Sequence, residues 1–141
     1  MVKFLDLNKI HSEIQSEIND AIQDVISNSA FIGGKHVSDF EQKFADFIGS
    51  KNCVGVGNGT DAIEIAIEAL NLPPCCEIIV PANSFIASSE AVTRSGHKVV
   101  FCDCDPQLYT LDISDLENRI TEKTAAIIAV HLYGNPCPMD D

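Results

Sequence analysis

Cys53-Val54-Gly55-Val56-Gly57-Asn58-Gly59-Thr60-Asp61-Ala62 reads as a short apolar strand that passes through a glycine-rich turn into an amphipathic helix. Such a junction builds a phosphate site. Glycine lets the backbone approach an anion closely and take up positive φ, and the first amides of the helix have no intrahelical partner. Thr60 and Asp61 suit the helix start, because a hydroxyl or carboxylate there can accept a bond from an orphan amide. The helix is expected over about 60–70, with Ile63, Ala66, Ile67 and Leu70 on one face, until Asn71-Leu72-Pro73-Pro74 breaks it. A plain strand-to-helix turn has the same pattern, so the ligand must be argued from the rest of the chain.

Downstream the pattern repeats. Residues 77–80 read as a strand ending at Pro81, and 82–92 as a turn leading into a helix with Phe85 in its first turn. A third strand is expected over 98–103, a short helix over 114–119, and a fourth strand over 124–131 closed by Leu132-Tyr133-Gly134. Apart from Glu77, which opens it, the run 77–80 is apolar, and 125–130 is continuously so, as strands buried on both faces should be. Strand and helix in alternation predict an α/β fold, a three-layer αβα sandwich with a mainly parallel sheet. Ligands in such sheets sit at the carboxyl ends of the strands, so the Gly57 turn, 83–85, 103–105 and 131–133 should line one rim.

Upstream, Ile10, Ile14, Ile18, Ile22 and Val25 recur at helical spacing and predict one amphipathic helix over 9–26, capped by Asn8 and ended by Ser27-Asn28-Ser29. After Gly33-Gly34, Ser38-x-x-Glu41 has the form of a capping box opening a helix that carries Phe40, Phe44 and Phe47 and stops at Gly49. The expected organisation is an N-terminal helical segment over 1–50 and the first part of an α/β domain over 51–141.

Composition narrows the partners. Twenty-one acidic against nine basic residues give a formal charge of −12, which argues against nucleic acid or an anionic membrane as a partner. A phosphate would depend on helix amides and on local cations such as Lys3, Lys35 or Arg94. No stretch approaches the roughly 20 apolar residues that span a bilayer, and no basic-then-apolar leader opens the chain, so a cytoplasmic location is expected. The six cysteines include no C-x-x-C pair, which argues against zinc, and without a leader a disulfide framework is not expected. Cys53 and either Cys102 or Cys104 read as small buried hydrophobes in strands. Asp103 and Asp105 read as turn caps, Asp105-Pro106 being a turn initiator, and His11, His36 and His97 read as solvated.

In this order, Gly57-Asn58-Gly59-Thr60-Asp61-Ala62, Val80-Pro81-Ala82-Asn83-Ser84-Phe85, Phe101-Cys102-Asp103-Cys104-Asp105-Pro106 and Val130-His131-Leu132-Tyr133-Gly134 resemble the pyridoxal-phosphate-dependent sugar aminotransferases of the DegT/DnrJ/StrS family. Phe4-Leu5-Asp6-Leu7, Phe31-Ile32-Gly33-Gly34, Phe40-Glu41 and Phe44-Ala45 fit the same pattern, so the resemblance covers residues 4–140. It implies the large domain of a fold type I pyridoxal-phosphate enzyme, incomplete here. The family's Schiff-base lysine, and the acid that pairs with the pyridine nitrogen, lie downstream of the Val-His-Leu-Tyr-Gly strand. The chain is therefore expected to be the N-terminal part of a longer enzyme, without a catalytic residue and inactive alone. The resemblance also implies that Gly59, Thr60 and Asp61 bind the cofactor phosphate, Asp61 not through its ionised carboxylate. By the same resemblance Phe85 stacks on the pyridine ring, Ser88 faces the cofactor, Gly34 is a substrate-side position near a dimer interface, and His131 is scaffold. No metal is implied.

The implied activity is transfer of an amino group from an amino acid, usually glutamate, to a nucleotide-linked keto sugar. That reaction serves nucleotide-sugar, cell-surface polysaccharide or antibiotic sugar biosynthesis, and the implied assembly is a homodimer. A second reading is an NAD(P)-dependent Rossmann oxidoreductase, suggested by Gly55-x-Gly57-x-Gly59. There Thr60 holds the third glycine position, and Glu77 opens its strand where the ribose-binding acid should end one. A third is a non-catalytic regulatory relative on the same fold.

Overall fold

A computed structural model describes residues 3–141, which divide into two compact units, Met1–Gly55 and Val56–Asp141. In the first unit, α1 (Leu7–Glu13), α2 (Gln15–Ser27) and α3 (Lys35–Ile48) follow one another. The single helix expected over 9–26 is thus two. The chain leaves helical geometry at Ile14, φ −117° and ψ 15°. Ile10, Ile14, Ile22 and Ile26 remain 45–58% exposed, so no packed face within this unit holds the β-branched run in one straight helix. Asp6, not Asn8, stands at the N-cap of α1.

Helix α3 also starts earlier than its capping-box reading. Gly34, at φ 94° and ψ −174°, turns the chain into the helix one turn before Ser38. Ser38 then lies inside α3, its hydroxyl donating to the Lys35 carbonyl at 3.1 Å. Glu41 accepts the Gly55 amide at 2.7 Å instead of capping. Gly49 ends α3 in the left-handed conformation as expected, its amide bonding back to Ala45 and Asp46.

The second unit contains α4 (Gly59–Ala69), β1 (Glu77–Pro81), α5 (Ala87–Arg94), β2 (Lys98–Cys102), α6 (Ile113–Arg119), β3 (Thr124–Ile127) and a 3₁₀ turn at Leu132–Gly134. Its sheet runs β2-β1-β3, with both pairings parallel. Strand β1 is buried along its whole length. Successive side chains leave a strand on opposite faces: Ile78 and Val80 pack with Ile67 of α4 and with Ala91 and Val92 of α5, while Ile79 packs with Cys102, Leu111 and Leu116 of α6. Helices therefore cover both faces, the three layers read from the sequence. Burial of an isoleucine or valine is worth roughly 1.5–3 kcal/mol, and Ile78, Ile79 and Val80 are all fully buried.

Two strand expectations change. Residues 53–56 join no ladder among the described residues, and Val54 and Val56 stay exposed. Strand-forming residues become a strand only when a neighbour takes their backbone groups. Strand β3 stops at Ile127, although the Ile128 amide still reaches the Ile79 carbonyl at 2.8 Å. At the amino ends of the strands, the Glu77 carboxylate receives Lys98 Nζ at 2.8 Å and the Thr121 hydroxyl at 2.7 Å. These two bonds, the lysine first, hold the Glu77 carboxyl below the ordinary range. Glu77 thereby ties β1 to the start of β2 and to the segment entering β3.

Candidate functional site

Helix α4 opens with free donors. The N-cap is Asn58, whose Oδ1 accepts the Asp61 amide at 3.0 Å and whose Nδ2 donates to Asp61 Oδ2 at 2.9 Å. The Asn58 carbonyl takes the Ala62 amide. Gly59 and Thr60 keep amides with no hydrogen-bond partner among the described residues, at the end where the helix dipole favours an anion. Thr60 and Asp61, read as caps, lie in the first turn instead, because the helix begins at Gly59 and Asn58, two residues before Thr60, takes the capping position. None of Gly55, Gly57 and Gly59 has positive φ, which corrects that part of the glycine argument. At Gly59 an added Cβ would meet nothing within 4 Å, so the backbone there is open, whereas at Gly57 it would lie 2.9 Å from Asp61 Oδ2.

Charge around this turn is balanced locally. Arg94, the last residue of α5, sets Nε 2.8 Å from Glu64 and a terminal nitrogen 3.7 Å from Asp61. Asn58 and Arg94 thus occupy the Asp61 carboxylate, which would otherwise repel an anion. Lys3, another of the cations named from the sequence, lies 3.1 Å from Asp6 in the first unit.

Phe85 and Ser88 sit at the entrance to α5, the helix packed against α4 across the core. Phe85 precedes the helix and is 76% exposed, with its carbonyl accepting the Ser88 amide at 3.1 Å. A phenylalanine left that open presents a ring face and adds nothing to the core. Ser88 is buried beside it. Gly34 belongs to the first unit, where its backbone role at the start of α3 is clear.

The loops that follow the three strands are joined at their carboxyl ends. Asn83 after β1 donates to the Tyr109 carbonyl at 3.0 Å, and Asn135 after β3 donates to the Leu108 carbonyl at 2.9 Å. Tyr109 and Tyr133 meet edge to face with centroids 6.4 Å apart, both at φ 58°. Asp105 Oδ1 accepts the Gln107 and Leu108 amides, the turn-capping role expected of it. His131 Nδ1 accepts the Cys137 amide at 3.0 Å, which fixes its tautomer and makes it a brace for the last segment. Asn58, Asn135 and Tyr109 escaped the sequence reading, and Asn83 entered it only as part of the 83–85 turn on the rim. Short amides in loops signal turns generally, and only the fold shows which carbonyl each will meet.

Among the described residues no three His, Cys, Asp or Glu side chains gather as a metal site, and no helix is long and apolar enough to cross a membrane. His97, expected in solvent, is half-buried with Nδ1 3.2 Å from Cys76 Sγ. The Glu77 carboxylate is committed to Lys98 and Thr121 at the amino end of β1, and so is not placed to hold a ribose.

Residues 12–141 match the DegT/DnrJ/EryC1/StrS aminotransferase family. The chain is 41% identical over 140 residues to the dTDP-3-amino-3,6-dideoxy-alpha-D-galactopyranose transaminase of Aneurinibacillus thermoaerophilus, covering 99% of this chain and 39% of that protein. The crystal structure of S. venezuelae DesV in complex with a ketimine intermediate superposes with a TM-score of 0.93 at 37% identity, over 99% of this chain and 38% of that one. NtdA of Bacillus subtilis with bound cofactor PMP superposes with a TM-score of 0.91 at 33% identity, over 99% of this chain and 32% of that one. The chain spans about two fifths of the length of the curated relatives it matches.

Proposed function

The chain belongs to the DegT/DnrJ/EryC1/StrS aminotransferase family, and from that membership we propose that it forms the cofactor-seating part of a pyridoxal-phosphate-dependent sugar aminotransferase. The substrate is a keto sugar carried on a nucleotide, and the donor is an amino acid, glutamate first. The observation that carries this reading is the pair of unpartnered amides at Gly59 and Thr60, in a turn open enough for a phosphate. These amides and the Thr60 hydroxyl hold the phosphate. Asn58 keeps the Asp61 amide and carboxylate engaged, and Arg94 offsets the carboxylate charge. Phe85 offers its exposed ring to the pyridine face, and Ser88 stands beside it on α5. When bound, pyridoxal phosphate supplies the electron sink for breaking the donor's bonds at its α-carbon. No residue of this chain is assigned the covalent role.

The assembly we propose is a homodimer with Gly34 on the substrate side, supported by the exposed isoleucines of α1 and α2 and by the family. Sedimentation of the full-length protein as a monomer at micromolar concentration would count against it.

The cofactor reading is tested by titrating the full-length protein with pyridoxal phosphate and following its absorbance, then offering glutamate and nucleotide-linked keto sugars. Phe85→Ala should weaken retention by about 0.5–1.5 kcal/mol beyond lost area. Gly59→Val should weaken it further, since a branched side chain fills the space open above the amides. His131→Asn should leave retention intact. Saturable binding unaffected by Gly59→Val would sink the assignment of the phosphate to this turn.

A further inference from the structure

Cys75 and Cys76 lie at the amino end of β1, the opposite end of that strand from the loop carrying Phe85, and nothing in the proposed transamination uses them. They belong to a tight turn in which the Cys76 amide bonds to the Pro73 carbonyl at 3.3 Å. Pro74 fills the second position and Cys75 the third, at φ 55°. That third position favours glycine or asparagine, so a cysteine there is held in a conformation its side chain opposes. The strain comes with exposure, because Cys75 is open to solvent while Cys76 is 5% exposed. The turn borders a cleft of about 470 Å³, lined also by Glu122, Lys123 and Thr124.

Cys76 has what the other buried thiols lack, a base. Its Sγ lies 3.2 Å from His97 Nδ1. Cys102, by contrast, donates to the Asp103 and Asp112 carbonyls, and burial pushes its thiol up to about 11. Cys137 donates to the Val130 carbonyl. The remaining charged groups around the turn are Lys98, paired with Glu77, and the Glu122 and Lys123 side chains of the cleft.

We propose that Cys75, Cys76 and His97 form an oxidisable two-thiol site that hydroperoxides convert to a disulfide between the adjacent cysteines. The Cys75 sulfur attacks the hydroperoxide, the O–O bond breaks, the departing oxygen takes up the Cys75 thiol proton and leaves as alcohol or water, and Cys75 becomes a sulfenic acid. His97 Nδ1 takes the Cys76 thiol proton, the Cys76 sulfur attacks the Cys75 sulfur, and the S–O bond breaks. The hydroxide leaves with that proton as water. Two thiols and one hydroperoxide thus give one disulfide, one alcohol and one water. Neighbouring Cα atoms are about 3.8 Å apart, closer than an unstrained disulfide prefers, so the product is readily reduced. The site is a reversible one.

The test treats the full-length native protein with one equivalent of hydrogen peroxide, alkylates free thiols after denaturation without reductant, and digests with a glutamate-specific protease. The peptide 69–77 contains Cys75 and Cys76 and no other cysteine. We expect it to lose two hydrogens and carry no alkyl group, with both labels restored by prior reduction. Cys76→Ser should stop at a Cys75 sulfenic acid trapped by dimedone, and His97→Asn should slow ring closure on the order of tenfold or more, with buried Cys102 resisting alkylation of a separate native sample of each variant as proof of folding. Two alkylated cysteines after peroxide, a Cys75 sulfinic acid beside an alkylated Cys76, a disulfide to any other cysteine, or closure at the normal rate in His97→Asn would overturn the proposal.

Discussion

Asn58 governs the start of α4. Three neighbouring polar residues, Asn58, Thr60 and Asp61, satisfy the same capping preference in the sequence, and the choice among them depends on where the backbone first turns helical. The structure sets Asn58 in extended geometry, φ −165° and ψ 177°, with its side chain on the Asp61 amide. Asn58→Ala should destabilise the second unit by about 0.5–2 kcal/mol, read as a lower urea midpoint at unchanged slope. It should also loosen Asp61, so cofactor affinity should fall along with stability. Gly34 makes the complementary case. An added Cβ there meets only the Ala30 methyl at 3.7 Å, so sterics allow alanine, yet φ 94° with ψ −174° is backbone space nearly reserved for glycine. Gly34→Ala should cost about 1–3 kcal/mol through the backbone alone. A neutral result would mean that α3 can begin at another residue.

At the level of elements, legibility followed completeness of local signal. Strand β1 was readable from 77–80 because Ile78-Ile79-Val80, an unbroken apolar run ending at proline, can only be a strand buried on both faces or a short core helix, and the neighbouring turns decide between them. α4, α5, β2 and α6 were readable for similar reasons, each bounded by its own breakers. What failed was what depends on a distant partner: residues 53–56 have strand chemistry but no paired neighbour here, and Ile14 interrupts a helix whose apolar face finds no cover within its unit. In the candidate site, the glycine turn and Phe85 were legible as motifs, whereas the Asn83 and Asn135 braces depend on carbonyls 26 and 27 residues away. Glu77 carries a pH dependence at this scale. Its folded carboxyl is held below the ordinary carboxylate range by the hydrogen bonds from Lys98 and Thr121. The stabilisation is therefore fully present above the unfolded value and is lost as pH falls through the lowered folded value. Glu77→Gln should flatten the acid limb of stability below about pH 4.5, and an unchanged limb would show that the clasp is dispensable. Ile79→Ala, at the centre of β1, should cost about 2–5 kcal/mol at any pH.

Taken across its whole length, the chain combines high charge with much uncovered apolar surface. Phe47, Ile32 and Tyr133 are 86%, 98% and 88% exposed, and Ile22 and Ile26 are more than half exposed. Exposed patches of this kind drive association. The charge of −12 opposes it, but over a range set by salt: the Debye length is about 30 Å at 0.01 M and about 8 Å at 0.15 M. Two copies of the 141-residue chain should therefore repel at low ionic strength and associate once the charges are screened, the reverse of an ion-paired interface. Sedimentation of the chain alone should show the smallest species at 0.01 M salt and larger ones at 0.15 M and above. Lowering the pH toward the sequence pI of about 4.5 should act in the same direction. Ile22→Glu with Ile26→Glu, which removes apolar area on α2 and adds two charges, should shift the onset to higher salt. A dye that fluoresces on apolar surfaces should bind the chain and respond to the same salt steps. A chain that stays monomeric from 0.01 to 0.5 M salt, with no dye signal, would mean that these side chains cover one another in solution.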